Sequence, residues 1–168
     1  MLALMLPSAQ LEASFVESER ELLAHGVPPE RLTLDADAFR TRLARLIDAR
    51  EGRVEPGKVG DTTLWLADGD AYIGRISIRH ALTDSLRILG GHIGYNVRPS
   101  RRGQGFGGQM LALALPHANA LGIDPAMLTC DAANLASWRL IERCGGTREA
   151  EYMHEDVLRY RYWLPTTR

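Results

Sequence analysis

The chain has 168 residues, 45% of them hydrophobic and 24% charged, which reads as one domain (1–168) with a core of its own. With 20 Lys and Arg against 21 Asp and Glu the formal net charge is -1, so no global basic field gathers nucleic acid or anionic lipid, and any anion site must be local. Two cysteines, Cys130 and Cys144, argue against a disulfide framework, no run nears a membrane span, and a cytoplasmic protein is expected. In chain order, Leu2 to Met5 is a strand candidate, and Leu11, Phe15, Ser18 and Leu22 fall at helical spacing up to Gly26. A second helix is expected from about Ala36 to Ala49, with Phe39, Leu43, Leu46 and Ile47 on one face, until the Gly- and Pro-containing stretch from Gly52 to Gly60 breaks it. Thr63 to Ala67 and Ala71 to Arg79 are β-rich runs parted by Asp68-Gly69-Asp70, a hairpin signal. Residues 80–90 read only as a connection, and Ile93 to Val97 is a strand. A helix is expected from Gly105 to Leu121, with Pro116 inside it, then a strand from Met127 to Cys130, a helix from Asn134 to Cys144, and two strands from Thr147 to Leu164. No cluster of His, Cys or Asp has metal-ligand spacing, so no metal is expected.

The segment Arg98-Pro99-Ser100-Arg101-Arg102-Gly103-Gln104-Gly105-Phe106-Gly107-Gly108 carries the strongest signal. Its glycines let the backbone turn sharply, and the helix that follows points unpaired N–H groups and its positive dipole end at the turn, which suits a diphosphate. The residues from Gly103 to Gly108 also satisfy Gly-x-Gly-x-x-Gly, but five residues separate them from their strand and a hairpin precedes them, against a dinucleotide fold. No Gly-Lys-Ser/Thr follows, which excludes a P-loop.

With Arg102-Gly103-Gln104-Gly105-Phe106-Gly107 after a strand, and Asn134 opening a helix that ends at Cys144-Gly145-Gly146, the chain resembles the Gcn5-related N-acetyltransferase (GNAT) superfamily over about residues 60 to 160. The resemblance implies an α/β (α+β) acyl-CoA N-acyltransferase fold: a mixed, mostly antiparallel twisted sheet of about six to seven strands flanked by about four helices. It implies acetyl-CoA as cosubstrate, with the diphosphate on Arg102, Gly103, Gln104, Gly105, Phe106, Gly107 and Gly108, and the pantetheine arm on Tyr95, Asn96, Val97 and Asn134. For Asn134 a helix N-cap is an equal and compatible role. The implied reaction is acetyl transfer to a primary amine, in a small molecule or a protein, by direct attack in a ternary complex. A homodimer is compatible with the resemblance.

The chain departs from the family at two proton-transfer positions, where Gly91 stands for a frequent Glu and Ile141 for a frequent Tyr. That motivates an alternative, a non-catalytic acyl-CoA-binding sensor. Local candidates for catalysis are His92, which titrates in a useful range, and Tyr95, which alternates onto the face of Gly91. Glu12, Glu17, Glu19 and Glu21 on the first helix read as a solvated face, with attraction of a cationic acceptor as the sharper alternative.

Overall fold

In a computed structural model, which describes residues 1–167, helices and strands follow the expected order but build two sheets, where a single central one was expected. Arg168, the last residue of the expected domain, lies outside the described residues. The first sheet runs antiparallel through β1 (Leu2–Met5), β2 (Asp61–Asp68), β3 (Ala71–Arg79) and β4 (Ile93–Val97), in that spatial order. In the second, β5 (Ala126–Asp131) and β6 (Thr147–His154) lie on either side of β7 (Val157–Leu164). The division falls between β4 and β5. Which strands share a ladder is a property of pairing across the chain, and the local pattern of neither strand encodes it.

Five helices occur among the described residues: α1 (Glu12–Ala24), α2 (Ala36–Arg50), α3 (Asp84–Ile88), α4 (Phe106–Ala120) and α5 (Leu135–Arg143). α3 lies in the connection that had no readable pattern. Five residues are too few to show a helical period, and its start is fixed by Thr83, whose Oγ1 accepts the Leu86 N–H at 3.2 Å. Asp35 caps α2 in the same way, accepting from Ala38 N at 2.8 Å.

The alternation of β2 explains why both faces of the first sheet are covered. Leu64 and Leu66 point one way with Ile76 and Ile78 of β3, into a core completed by Met110, Leu111, Ala114 and Leu115 of α4. Trp65 points the other way and meets Phe15 of α1, Phe39 of α2 and Tyr72 of β3. Phe15 stacks on Trp65 at 4.8 Å between centroids and meets Tyr72 edge-on at 5.0 Å, the offset and T-shaped arrangements that ring quadrupoles favour. Among the described residues no helix is long and apolar enough to cross a membrane.

Candidate active site

β4 and β5 are stitched together at one end, chiefly by His92. His92 N donates to Met127 O at 2.7 Å, and the His92 Nδ1 accepts the Met127 N–H at 2.9 Å. Beyond this clasp the strands part, and a cleft of about 970 Å³ opens between them, lined by Ile93 to Val97 on one side and Leu128 to Asp131 on the other. Gly91 allows the approach. Its φ is +64° and a Cβ there would sit 2.8 Å from the Met127 carbonyl carbon, so no glutamate fits where the family resemblance places one.

The hydrogen-bond phase of β4 shows what the cleft offers. Arg79 N donates to His92 O and Arg98 N to Ile73 O, which assigns the backbone groups of Gly94 and Asn96 to β3. Tyr95 and Val97 therefore turn their N–H and C=O groups toward the cleft. Val97 O already accepts from Arg102 Nε at 3.0 Å, which ties the strand end to the turn that follows.

That turn is the glycine segment. Gly103 (φ +74°) and Gly105 (φ +82°) hold left-handed conformations that cost an L-residue about 1–2 kcal/mol. A Cβ would meet nothing within 4 Å at Gly103 or Gly108, and only the Gln109 side chain at 3.9 Å from Gly105. The bare backbone thus leaves room for a ligand, and Gly105 stands as N-cap of α4 with no side-chain cap. Gly107 has a different task, since a Cβ there would lie 2.7 Å from Leu140 Cδ1, and its absence lets α4 pack on α5. Phe106 packs against the core, and Gln104 Nε2 donates to Ser100 O at 3.2 Å, bracing the turn.

A buried arginine holds this turn against α1. Arg98 is 8% exposed, donates from Nη1 to Ser14 Oγ and Tyr72 O at 3.2 Å each, and from Nε to Glu21 Oε1 at 3.1 Å, while its Nη2 also meets Glu21. Glu21 accepts in turn from Ser100 N at 3.0 Å and Ser100 Oγ at 2.9 Å. Burial raises the Glu21 pKa, but the hydrogen bonds from Arg98 and Ser100 outweigh it and hold the carboxyl down at about 2. The expected solvated acidic face of α1 is thus corrected in part. Glu17 lies 3.2 Å from Arg98, and Glu19, 6% exposed, accepts the Thr33 N–H at 2.9 Å.

Of the local catalytic candidates, Tyr95 lines the cleft and His92 does not. His92 spends its Nδ1 on Met127, and burial, with Arg87 and Arg79 nearby, lowers its pKa below 6.5, so the neutral ring is a structural acceptor. Tyr95 Oη lies 2.8 Å from Ser137 Oγ on α5, and burial pushes its phenol up to about 12. Cys130, also in the cleft, is pushed up to about 11 by burial and stays a thiol at neutral pH. Asn134 lines the cleft and caps α5, accepting from Ser137 N at 3.1 Å, and Asn96 lines it as well. Ile141, 1% exposed, is a core residue at the cleft wall, and its hydrocarbon side chain supplies no proton where the family resemblance places a tyrosine. Sequence reading missed Ser137, because a serine inside a helix carries no signal until Tyr95 is seen across from it. Among the described residues no cluster of three or more His, Cys, Asp and Glu could hold a metal ion.

Two splayed sheets, a strand with free amides in the gap, and a glycine turn feeding a helix form one open cleft with an anion-binding turn at its end. Residues 5–147 match the family model described as an acetyltransferase (GNAT) domain, and the chain belongs to that family. Similar solved structures include RimL, a ribosomal L7/L12 α-N-protein acetyltransferase in complex with coenzyme A, at 18% identity and TM-score 0.67, covering 99% of this chain and 96% of that one. The ribosomal-protein-S5-alanine acetyltransferase of Vibrio fischeri aligns at 15% identity and TM-score 0.74, over 98% and 93%. The structure of yncA from Salmonella typhimurium with its cofactor acetyl-CoA aligns at 18% identity and TM-score 0.66, over 100% and 95%. At these identities the likeness concerns the fold. No match was found among curated protein sequences.

Proposed function

We propose that this chain forms one catalytic domain that transfers the acetyl group of acetyl-CoA to a primary amine. The observation that carries this reading is the continuity of the cleft, from the bare glycine turn along the free edge of β4 to the Tyr95–Ser137 hydroxyl pair. The backbone N–H groups of residues 103 to 108, with the side chains of Arg101 and Arg102, hold the diphosphate at the start of α4. Tyr95 and Val97 bond the pantetheine arm through their edge amides, as a missing strand would, and Asn96 and Asn134 flank it.

Acetyl-CoA supplies an activated thioester, and the reaction exchanges it and an amine for an amide and a thiol. This chain's residues contribute alignment, which makes the encounter effectively unimolecular, and a proton source at the departing sulfur. The Ser137 Oγ and Tyr95 Oη share one hydrogen bond inside the cleft, and the Tyr95 phenol, protonated at neutral pH, is the hydroxyl placed to hand a proton to the departing sulfur. This pair favours turnover over the sensing alternative, and the role we assign to His92 is to hold β5 through its Nδ1. Calorimetric titration with acetyl-CoA, coenzyme A and NAD tests the reading. Binding of the two coenzyme A species alone supports it, and binding of none of them, or of NAD alone, overturns it.

A further inference from the structure

The cleft has two ends of different chemistry. Six arginines line it, against one carboxylate, Asp131, among its described lining residues. Four of them, Arg101, Arg102, Arg139 and Arg143, belong to the glycine turn and α5, where phosphates are expected. Arg79 and Arg159 do not. Arg79 closes β3 opposite His92, about 16 Å of strand away from the Gly74–Val97 end at the turn, too far to serve the diphosphate.

Arg79 is held but not neutralised. Its Nη1 donates to the carbonyls of Gly90 at 3.1 Å and Gly91 at 3.0 Å, and no carboxylate lies within 4 Å of it among the described residues. Its Nη2 lies over Gly94, 3.5 Å from where a Cβ would be, and that glycine leaves the guanidinium open to the cleft. Thr129 continues the same floor, its Oγ1 accepting from Gly90 N at 2.8 Å. Arg159, its side chain 13% exposed, pairs through Nη1 with Asp131 and keeps a buried Nε without a hydrogen-bond partner among the described residues. A guanidinium carries five donors, and on both arginines several are unspent.

On the proposed acetyltransferase function, the geometry points to an acceptor that bears a carboxylate close to its amine, the carboxylate being received by Arg79 with help from Arg159. A polycation is a poor occupant, because it would meet two cations and one already paired acid. The arrangement also aids the chemistry. Cations near an alkylammonium lower its pKa, so a larger share of the acceptor is the neutral nucleophile without a dedicated base. Such a carboxylate can come from a free amino acid or from an acidic side chain near a peptide N-terminus.

The test uses the full chain and begins with acetyl-CoA binding, so that failure of the parent reading is seen separately and rejects both. Thiol release is then compared for L-alanine against L-alaninamide, for the peptide Ala-Asp-Glu-Gly against Ala-Asn-Gln-Gly, and for spermidine. A preference of about tenfold or more in kcat/KM for one carboxylate-bearing member over its amide supports the inference and tells which source applies. Arg79→Gln should reduce that preference to near unity with acetyl-CoA affinity intact, and Arg79→Lys should keep most of it. Arg159→Gln, expected to weaken it in part, serves if Arg79→Gln does not fold. Binding gives a second readout: N-acetyl-L-alanine should titrate into the coenzyme A-saturated protein more tightly than N-acetyl-L-alaninamide. Equal or better use of the amides or spermidine, an Arg79→Gln variant that keeps the preference, or turnover of no amine together with equal or no binding of the two N-acetyl compounds would overturn it.

Discussion

Glu21→Gln removes the charge that fastens the phosphate turn to α1 and leaves the shape of the side chain. Hydrogen bonds from Arg98 and Ser100, working against burial, lower the wild-type carboxyl from 4.5 to about 2, and a displacement of that size corresponds to about 3 kcal/mol of preference for the carboxylate. The Glu21 side chain is 23% exposed and Glu17 remains 3.2 Å from Arg98 as a substitute, so the expected loss is about 2 kcal/mol. In a chain of this size that is a fall in Tm of about 4–8 °C by calorimetry. The folded pKa is depressed, so the stabilisation is fully present above 4.5 and lost as pH falls through about 2; the wild-type and variant melting curves should converge over that interval. Because residues 98 to 102 would then have to be ordered on binding, the Kd for acetyl-CoA should rise about fivefold with kcat unchanged. A variant melting within about 1 °C of wild type, with unchanged affinity, would refute the role given to the strap.

Gly105→Val places a branched side chain at φ +82° in the mouth of the turn and should abolish acetyl-CoA binding by calorimetry with a loss of only a few kcal/mol in stability; unchanged affinity would remove the turn from the site. Tyr95→Phe and Ser137→Ala should each lower kcat by about 10²-fold while leaving the Kd for acetyl-CoA within a small factor, and the double variant should cost less than the product of the two. His92→Ala leaves the Met127 N–H unpaired and should cost about 2 kcal/mol in denaturant unfolding without altering the pH profile of kcat/KM. In the wild type the His92 contribution is present above 6.5 and lost as pH falls below that value through the lowered folded pKa, a slope that His92→Ala should lack.

The glycine turn, its helix and the strand before it were legible because each depends on a few adjacent residues: glycine for φ above zero, a helical period, a run of β-formers. The Asn134 cap was legible for the same reason. The Arg98–Glu21 strap joins residues 77 positions apart, and nothing local distinguishes Glu21 from Glu12, Glu17 and Glu19 on the same helix. His92 reads differently in the structure for a related reason, since a titratable ring beside a conspicuous strand suggests chemistry, and only the course of β5 reveals that its Nδ1 accepts the Met127 N–H. The open gap between the sheets is a missing ladder, which strand propensity cannot report.

The unpaired side of β4 has a cost that enzymology would not reveal. A strand with free amides along one edge is a template for any other extended chain, and most proteins blunt or cover such edges. Here the edge is interior and only five residues long, narrow enough to discourage a foreign strand, yet it is left unfinished by the polypeptide itself. If the cosubstrate completes it, abundance in the cell becomes coupled to metabolic state: ligand at about a hundred times its Kd adds about 2.7 kcal/mol to folding, and depletion of the whole coenzyme A pool would expose the chain to proteolysis.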